Sequence, residues 1–347
     1  MERYCINKAC TIADALVRLN SLHAVSMTLF VMDDDATMLG TVTDGDIRRA
    51  LIAGVALSAP VAEAMHADFS YLSSRDDIST LKSLRERLIT LIPLLDSKRR
   101  LIDIYDLTTR RSALPVDAVL MAGGKGERLR PLTLTTPKPL LPIGQKAIID
   151  HNIDRLAHYG IRNVSATVNY LKEMLIDHFA CPMDNGVKVD CIAEEKFLGT
   201  IGALKLVREF KNDTILVMNS DLLTDIDYED FYLHFQRHGA SMSAAAIPYT
   251  IAVPYGIFDV DGREIKGVTE KPTYNLYANA GIYLLKKSVL RYIPDGQMFN
   301  ATDLIDALVA DGQKVIRYPL SGLWIDIGTP TEYHKAQELI KHLGNLS

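Results

Sequence analysis

From Ala122 to Thr133 the chain runs Ala-Gly-Gly-Lys-Gly-Glu-Arg-Leu-Arg-Pro-Leu-Thr. Glycine at 123, 124 and 126 removes side chains that would hold backbone amides away from a phosphate. Arg128 adds a rigid fork of donors, and Lys138, between Pro137 and Pro139, adds a compact positive charge. A polyphosphate is the ligand this chemistry suits. The string is neither a P-loop, which needs GxxxxGK[ST], nor a dinucleotide fingerprint, which needs GxGxxG opening a helix. A lone GGxG is weak evidence, because a plain glycine turn with surface cations explains it. Glycines, Arg128, Pro131 and Lys138 in one ordered string are a specific signal.

Two carboxylates close short apolar runs. Asp221 comes after Ile215-Leu216-Val217-Met218, and Asp326 after Leu323-Trp324-Ile325. Carboxylates at strand ends could hold Mg²⁺ against phosphate oxygens. Taken singly, each could equally be a turn or cap residue. Asp225 and Asp227 fit the start of a helix containing Phe231. His151, His158 and His178 fit helix positions rather than ligand positions, and no Ser-His or His-Asp pair stands out. Cys5, Cys10, Cys181 and Cys191 are too few for a disulfide scaffold and lack metal-ligand spacing.

These residues need strands and helices to position them. Asp117–Met121, Asn163–Asn169, Val187–Ile192 and Thr214–Asn219 are apolar, strand-like runs. Helical patterns at Ile148–Tyr159, Leu171–Phe179 and Thr200–Phe210 alternate with them. That order predicts an α/β fold with a mostly parallel sheet, in which ligands bind at the carboxyl ends of strands. The polar stretch Thr108–Pro115, ending in proline, marks a domain boundary.

Ahead of that boundary lies an internal repeat. An offset of 63 positions lays Leu29-Phe30-Val31-Met32-Asp33 on Ile92-Pro93-Leu94-Leu95-Asp96. Ile12 meets Ile78 only after a three-residue adjustment. Each copy is expected to run helix, strand, turn, strand, helix. In the first copy that means Ala13–Leu19, Thr28–Met32, a turn at Asp33–Asp35, Met38–Val42 and Asp46–Ala53. Two such copies, each too small to close a core, should pack as one domain.

Composition narrows the classes. The 347 residues carry 38 Lys+Arg against 43 Asp+Glu, a net charge of −5, with 48% hydrophobic residues. That is ordinary for a globular protein and leaves no basic face for nucleic acid. No apolar run reaches the roughly 18 residues of a membrane helix. The first residues lack the basic-then-apolar pattern of a signal peptide, so a cytoplasmic location is expected.

With Leu198-Gly199-Thr200-Ile201-Gly202-Ala203, Asn219-Ser220-Asp221, Glu270-Lys271-Pro272, Asn279-Ala280-Gly281 and Trp324-Ile325-Asp326-Ile327-Gly328-Thr329-Pro330, residues 116–347 resemble the sugar-1-phosphate nucleotidyltransferases. The resemblance implies a Rossmann-like, GT-A-like catalytic domain that joins a nucleoside triphosphate and a sugar 1-phosphate into a nucleotide-sugar and pyrophosphate. It implies Arg128, Lys138, Asp221 and Lys271 as catalytic residues and Ala122, Gly123, Gly124, Gly126, Glu194 and Gly199 around the nucleotide. Gly256, Glu270 and Asn279 would hold the sugar, and Asp221 and Asp326 would hold Mg²⁺. One departure is Glu127, where many members carry Thr or Ser. At Glu194 the chain is similar to guanylyltransferases, which implies GTP, since a carboxylate can accept from guanine N1–H and N2–H₂. Uridylyl, thymidylyl or cytidylyl transfer and a non-catalytic nucleotide sensor are the competing expectations. The chain ends soon after its last helix, without the hexapeptide-repeat tail of some relatives.

Residues 3–114, on Gly40-Thr41-Val42-Thr43-Asp44-Gly45-Asp46-Ile47, resemble a cystathionine-β-synthase (CBS) domain pair, an α+β module, with copies at 1–58 and 59–114. That resemblance implies a regulatory nucleotide at Thr43 and Asp46 and a homo-oligomer, dimer or higher. The second copy has Asp106 and Thr109 in their places, so no equivalent site is expected there; capping of the helix at Ile47 is the plain structural role for Thr43, Asp44 and Asp46. A CBS pair ahead of such a catalytic domain is similar to enzymes activating glucosamine 1-phosphate for legionaminic-type acids; mannose 1-phosphate comes next, and a heptose 1-phosphate stays open.

Overall fold

The computed structural model describes residues 2–22 and 27–343. The chain divides into two compact units, Met1–Leu114 with His158–Gly160, and Pro115–Ala157 with Ile161–Ser347.

The first unit contains β1 (Cys5–Asn7), α1 (Ile12–Ser21), β2 (Thr28–Met32), β3 (Met38–Thr43), α2 (Asp44–Ile52), α3 (Ile78–Glu86), β4 (Leu91–Leu95) and β5 (Leu101–Asp106). Its repeat is visible in the hydrogen-bond ladders. β2 pairs antiparallel with β3 from Thr28↔Thr43 to Met32↔Met38, with an irregularity between Val31 and Met32. β4 pairs with β5 from Leu91↔Asp106 to Leu95↔Leu101, with the same irregularity between Leu94 and Leu95. Ile6 runs parallel to Val31 in the first copy, as Leu72 does to Leu94 in the second. The copies share a core cluster in which Phe30 and Met38 meet Leu91 and Leu95. The two hairpins thus contribute to one buried cluster.

The closing helix expected in each copy forms only in the first. There Thr43 and Asp46 make a capping box. The Thr43 hydroxyl accepts from the Asp46 N–H (3.3 Å), and the Asp46 carboxylate accepts from the Thr43 N–H (2.8 Å). The helix therefore starts at Asp44 rather than Asp46. Arg49 pairs with the other Asp46 oxygen. In the second copy the Thr108 N–H and hydroxyl both bond Asp106 (3.0 and 2.6 Å), which makes a turn, and Pro115 stops any continuation.

The second unit is built from β6 (Val116–Met121), β7 (Pro142–Ile143), β8 (Lys146–Ala147), α4 (Ile148–His158), β9 (Asn163–Val168), α5 (Lys172–His178), β10 (Val189–Ala193), β11 (Thr214–Asn219), β12 (Leu222–Thr224), α6 (Tyr228–His238), β13 (Met242–Ala252), β14 (Ile257–Asp261), β15 (Glu264–Thr269), β16 (Thr273–Lys286), α7 (Ala301–Ala310), β17 (Val315–Pro319), β18 (Trp324–Asp326) and α8 (Pro330–Leu343). Among the described residues seven strands form one sheet in the order β10-β9-β6-β11-β16-β13-β17. Only β16 runs against the others. This is the expected α/β, mostly parallel architecture. β6 and β11 are buried along almost their whole length, because helices cover both faces. Val217 and Ile215 face a cluster with Leu304 and Leu308 of α7. Met218 faces the opposite way, where the Tyr228 hydroxyl of α6 touches its sulfur at 3.3 Å.

One expected helix is absent. Thr200–Phe210 contains only a short 3-10 turn, Gly202–Leu206. The amides of Ile201 and Gly202 both bond the Phe299 carbonyl (3.1 and 3.0 Å), and the Thr200 hydroxyl accepts from Ala301 N–H. These bonds tie residues 200–202 to the segment 299–301, and only the 3-10 turn follows.

Leu285 of β16 is fully buried between Ile215 and Met242. Leu285→Ala is expected to destabilise the second unit by about 2–5 kcal/mol, read from the denaturant midpoint. A loss under about 1 kcal/mol would contradict this packing.

Candidate active site

β6 is the first strand of the sheet, and the chain visits β9 and β10 on one side of it before crossing to β11 on the other. Such a reversal opens a crevice at the carboxyl ends of the strands. A cavity of about 600 Å³ lies there, lined by the loop after β6, by Lys138, by Asn169 and Glu194 after β9 and β10, and by Asn219, Ser220 and Asp221 at the end of β11.

The glycine loop holds its shape for local reasons. Gly126 takes a left-handed conformation (φ 61°), and a Cβ there would sit 3.0–3.1 Å from the Thr133 and Lys138 side chains. The Thr133 hydroxyl, in turn, donates to the Gly126 carbonyl at 2.8 Å. At Gly123 a Cβ would lie 2.7 Å from Glu194 Oε1, so glycine is what lets that carboxylate approach the loop. Glu127 pairs loosely with Arg130 at 3.6 Å, so its negative charge has a neighbour of opposite sign.

On the far wall, Lys138 Nζ donates to Asp221 Oδ2 and lies 3.8 Å from Asp326 Oδ1. The two aspartates meet because β12 and β18 form a short antiparallel ribbon that sets Leu222 opposite Asp326. In addition, the Asp221 carbonyl accepts from Ile327 N–H at 3.1 Å. Burial, and then the charge of Asp221, push the Asp326 carboxyl above the usual carboxylate range, while Lys138 and Arg128 oppose the rise. Asp221 Oδ1 is buried and accepts no hydrogen bond among the described residues. Arg128 packs its guanidinium on Gly328, where an added Cβ would lie 3.0 Å from it. Arg128, Asp326 and Gly328 also line a second cavity of about 360 Å³ with Trp324 and Lys335.

Two carboxylates crowded against one ammonium, with an orphaned oxygen, form a donor set for a hard divalent cation. No cluster of three or more His, Cys, Asp or Glu capable of holding a metal occurs among the described residues. A Mg²⁺ ion that takes its other ligands from phosphate and water fits such a pair.

Glu194 is buried on the opposite wall. Its Oε2 accepts from Leu198 N–H at 2.9 Å, and Asn169 donates to its backbone carbonyl at 3.1 Å. Burial raises its pKa, and the bonds from Leu198 and Thr167 pull it back down.

Ala122, Gly123, Gly124, Gly126, Arg128, Lys138, Glu194, Gly199 and Asp221 therefore share one cavity. Gly256, Glu270, Lys271 and Asn279 line neither cavity. Gly256 and Glu270 are close, a Cβ on the glycine falling 2.9 Å from the carboxylate. Lys271 holds a left-handed backbone (φ 44°), a strained conformation for a residue with a side chain. The Asn279 amide donates to the Tyr283 hydroxyl at 2.7 Å, and its oxygen accepts from Gly281 N–H at 3.0 Å. Asn169 and Phe197 also line the cavity without a motif to mark them; for Asn169 the position just past β9 is the available signal.

Residues 117–342 match the family model described as Nucleotidyl transferase. The mannose-1-phosphate guanylyltransferase catalytic subunit beta of Danio rerio is 32% identical over 224 residues, covering 62% of this chain and 62% of that protein. The mannose-1-phosphate guanylyltransferase of Mycobacterium tuberculosis (strain ATCC 25618 / H37Rv) is 30% identical over 226 residues, covering 63% and 62%. The chain thus spans about three fifths of the length of these relatives. The crystal structure of HddC from Yersinia pseudotuberculosis complexed with GMP-PN superposes with a TM-score of 0.52 at 25% identity, over 65% of this chain and 99% of that one.

The raised pKa of Glu194 has a signed consequence. A folded state that holds this proton more tightly than the unfolded chain gains stability at low pH and loses it as pH rises through the raised value. Glu194→Gln removes that loss. Relative to wild type the variant should therefore gain stability from roughly pH 4, the ordinary glutamate range, upward. Parallel denaturation profiles of the two proteins across pH would refute the assignment.

Proposed function

The chain belongs to the nucleotidyl transferase family, and from that membership we propose that it transfers a guanylyl group from GTP to a hexose 1-phosphate, releasing pyrophosphate. The observation that carries this reading is the cavity in which the glycine-loop amides, Arg128, Lys138 and Asp221 converge, with Asp326 set against Lys138 beside it.

In the proposed reaction an oxygen of the sugar phosphate attacks the α-phosphorus of GTP, and the bond to the β-phosphate bridge oxygen breaks with its electron pair. The second phosphate pKa, near 6, leaves the nucleophile ionised at neutral pH, so no general base is needed. The difficulty is bringing anions together, and positioning with charge neutralisation must supply the acceleration. Amides at Gly123, Gly124 and Gly126 would cradle the triphosphate. Arg128 and Lys138 would neutralise the departing pyrophosphate. Asp221 and Asp326 would hold Mg²⁺, which when bound draws charge from phosphate oxygens. Lys271 would meet the sugar phosphate, with Gly256, Glu270 and Asn279 against the hexose.

Base choice is assigned to Glu194, whose buried carboxylate suits paired donors such as those of guanine. The names of the guanylyltransferase relatives support GTP and mannose 1-phosphate. Glucosamine 1-phosphate is supported by the N-terminal resemblance to a CBS pair, which the shared offset of the two β-hairpins supports in turn. In this reading the first unit pairs chains and takes a regulatory nucleotide at Thr43 and Asp46, in exchange for their capping bonds.

Pyrophosphate release with Mg²⁺ should appear with GTP, above UTP, CTP, ATP and dTTP, and with mannose 1-phosphate or glucosamine 1-phosphate. Asp221→Asn should cut turnover by about a hundredfold or more. Nucleotide binding without release across the whole panel would favour a sensor instead. Asp46→Ala should alter the response of turnover to added nucleotides while basal turnover stays at the wild-type level. An unaltered response would remove the regulatory site from the proposal.

A further inference from the structure

We propose that Asn152 is a positioning residue for the carboxylate of Asp221; the proposal rests on the reading above in taking Asp221 as a metal-holding group. Asn152 sits in α4 and lines neither cavity. It is nine-tenths or more buried, with Ile148, Ile149, Ile153 and Leu156 among the buried residues of the same helix. An amide in such a place costs free energy unless its hydrogens are used.

Their shortest bond is to the segment that carries Asp221, and the Ile148 carbonyl of α4 lies 3.4 Å from the amide nitrogen. Asn152 Nδ2 donates to the Leu222 carbonyl at 2.9 Å, and the Ser220 carbonyl lies within 3.4 Å of the same nitrogen. Those carbonyls belong to the residues on either side of Asp221, so one amide spans the turn from which the carboxylate projects. One helical step further, at i+3, Arg155 continues the clamp: its Nε donates to the Ile226 carbonyl at 3.0 Å, and its guanidinium also reaches the Asp225 carbonyl. The i, i+3 spacing puts both donors on one side of α4.

From other directions the Ser220 hydroxyl donates to the Met121 carbonyl at 2.8 Å, and the Asp221 carbonyl is held by Ile327 N–H. Those contacts tie the turn to β6 and to the residue just after β18, and Asn152 ties it to α4 across both flanking residues. Sub-ångström placement of a charge-bearing group is what transfer chemistry depends on, and a small misplacement can cost about a hundredfold in rate. Loss of a group that orients a metal ligand typically costs about 10- to 100-fold in metal affinity or activity.

The test compares wild type with Asn152→Leu, which keeps the branched outline and removes the donors, and with Asn152→Asp, which keeps the shape. Mn²⁺ binding to the purified protein is measured by water-proton relaxation, alongside the Mg²⁺ dependence of kcat, KM for GTP, and Tm. Asn152→Leu should bind Mn²⁺ about tenfold or more weakly and lose kcat by a similar factor, with KM for GTP unchanged. In Asn152→Asp a protonated carboxyl can still donate to the Leu222 carbonyl, whereas the ionised form cannot. Its turnover relative to wild type should therefore fall as pH rises. A lower Tm with unaltered Mn²⁺ affinity and kcat would make Asn152 merely structural and overturn the proposal, as would an Asn152→Asp pH profile parallel to wild type. Wild-type protein that binds no Mn²⁺ would also overturn it. Wild-type protein that binds Mn²⁺ but turns over none of the substrate pairs would sink the transfer reading instead, leaving the Mn²⁺ comparison to decide the clamp.

Discussion

The second unit depends on how it handles like charge. Asp221 and Asp326 are brought side by side at the edge of a cavity, and Lys138 stands against both. Burial raises the Asp326 carboxyl above the usual carboxylate range, and repulsion from the charge of Asp221 adds to the same shift. Their coexistence requires cations, and Lys138 and Arg128, which oppose the rise, also line the cavity that an anionic substrate would enter. A site that holds its own carboxylates together in this way is suited to gathering phosphates.

The sheet supplies the rigidity this needs. β6 and β11 are neighbours in register, Val119 opposite Val217, and both are packed on two faces. Loops leaving such strands start from fixed points, so the glycine loop and Asn219-Ser220-Asp221 emerge together. The β12–β18 ribbon then returns Asp326 to the same place. Irregular backbone around the site is stabilised by specific bonds, such as the Thr133 hydroxyl on the Gly126 carbonyl and the Phe299 carbonyl on two amides.

The first unit has a different regularity, two hairpins of the same register. Its hairpins repeat with one offset, down to the position of the strand irregularity, although their sequences share little beyond apolar pattern. What differs between copies is the ending. Thr43 and Asp46 cap a helix in the first, whereas Asp106 gathers Thr108 into a turn in the second.

By itself the sequence determined the alternation of strands and helices, the two-copy pattern before Thr108, and the phosphate-type chemistry of residues 122–138. Each of these is carried by short-range spacing: apolar periodicity, glycine placement, and charges a few positions apart. Its local patterns failed at Thr200–Phe210 and after Asp106, where bonds to Phe299 or to a single aspartate overrode helix-like spacing. Only the tertiary structure decided that Lys138 meets Asp221, 83 positions away, that Glu194 faces Gly123, and that Asn152 spans the turn at Asp221. Periodicity tells which face of a strand is buried but not which strand lies beside it. The order of strands in the sheet, and with it every contact across the cavity, follows from packing the whole chain.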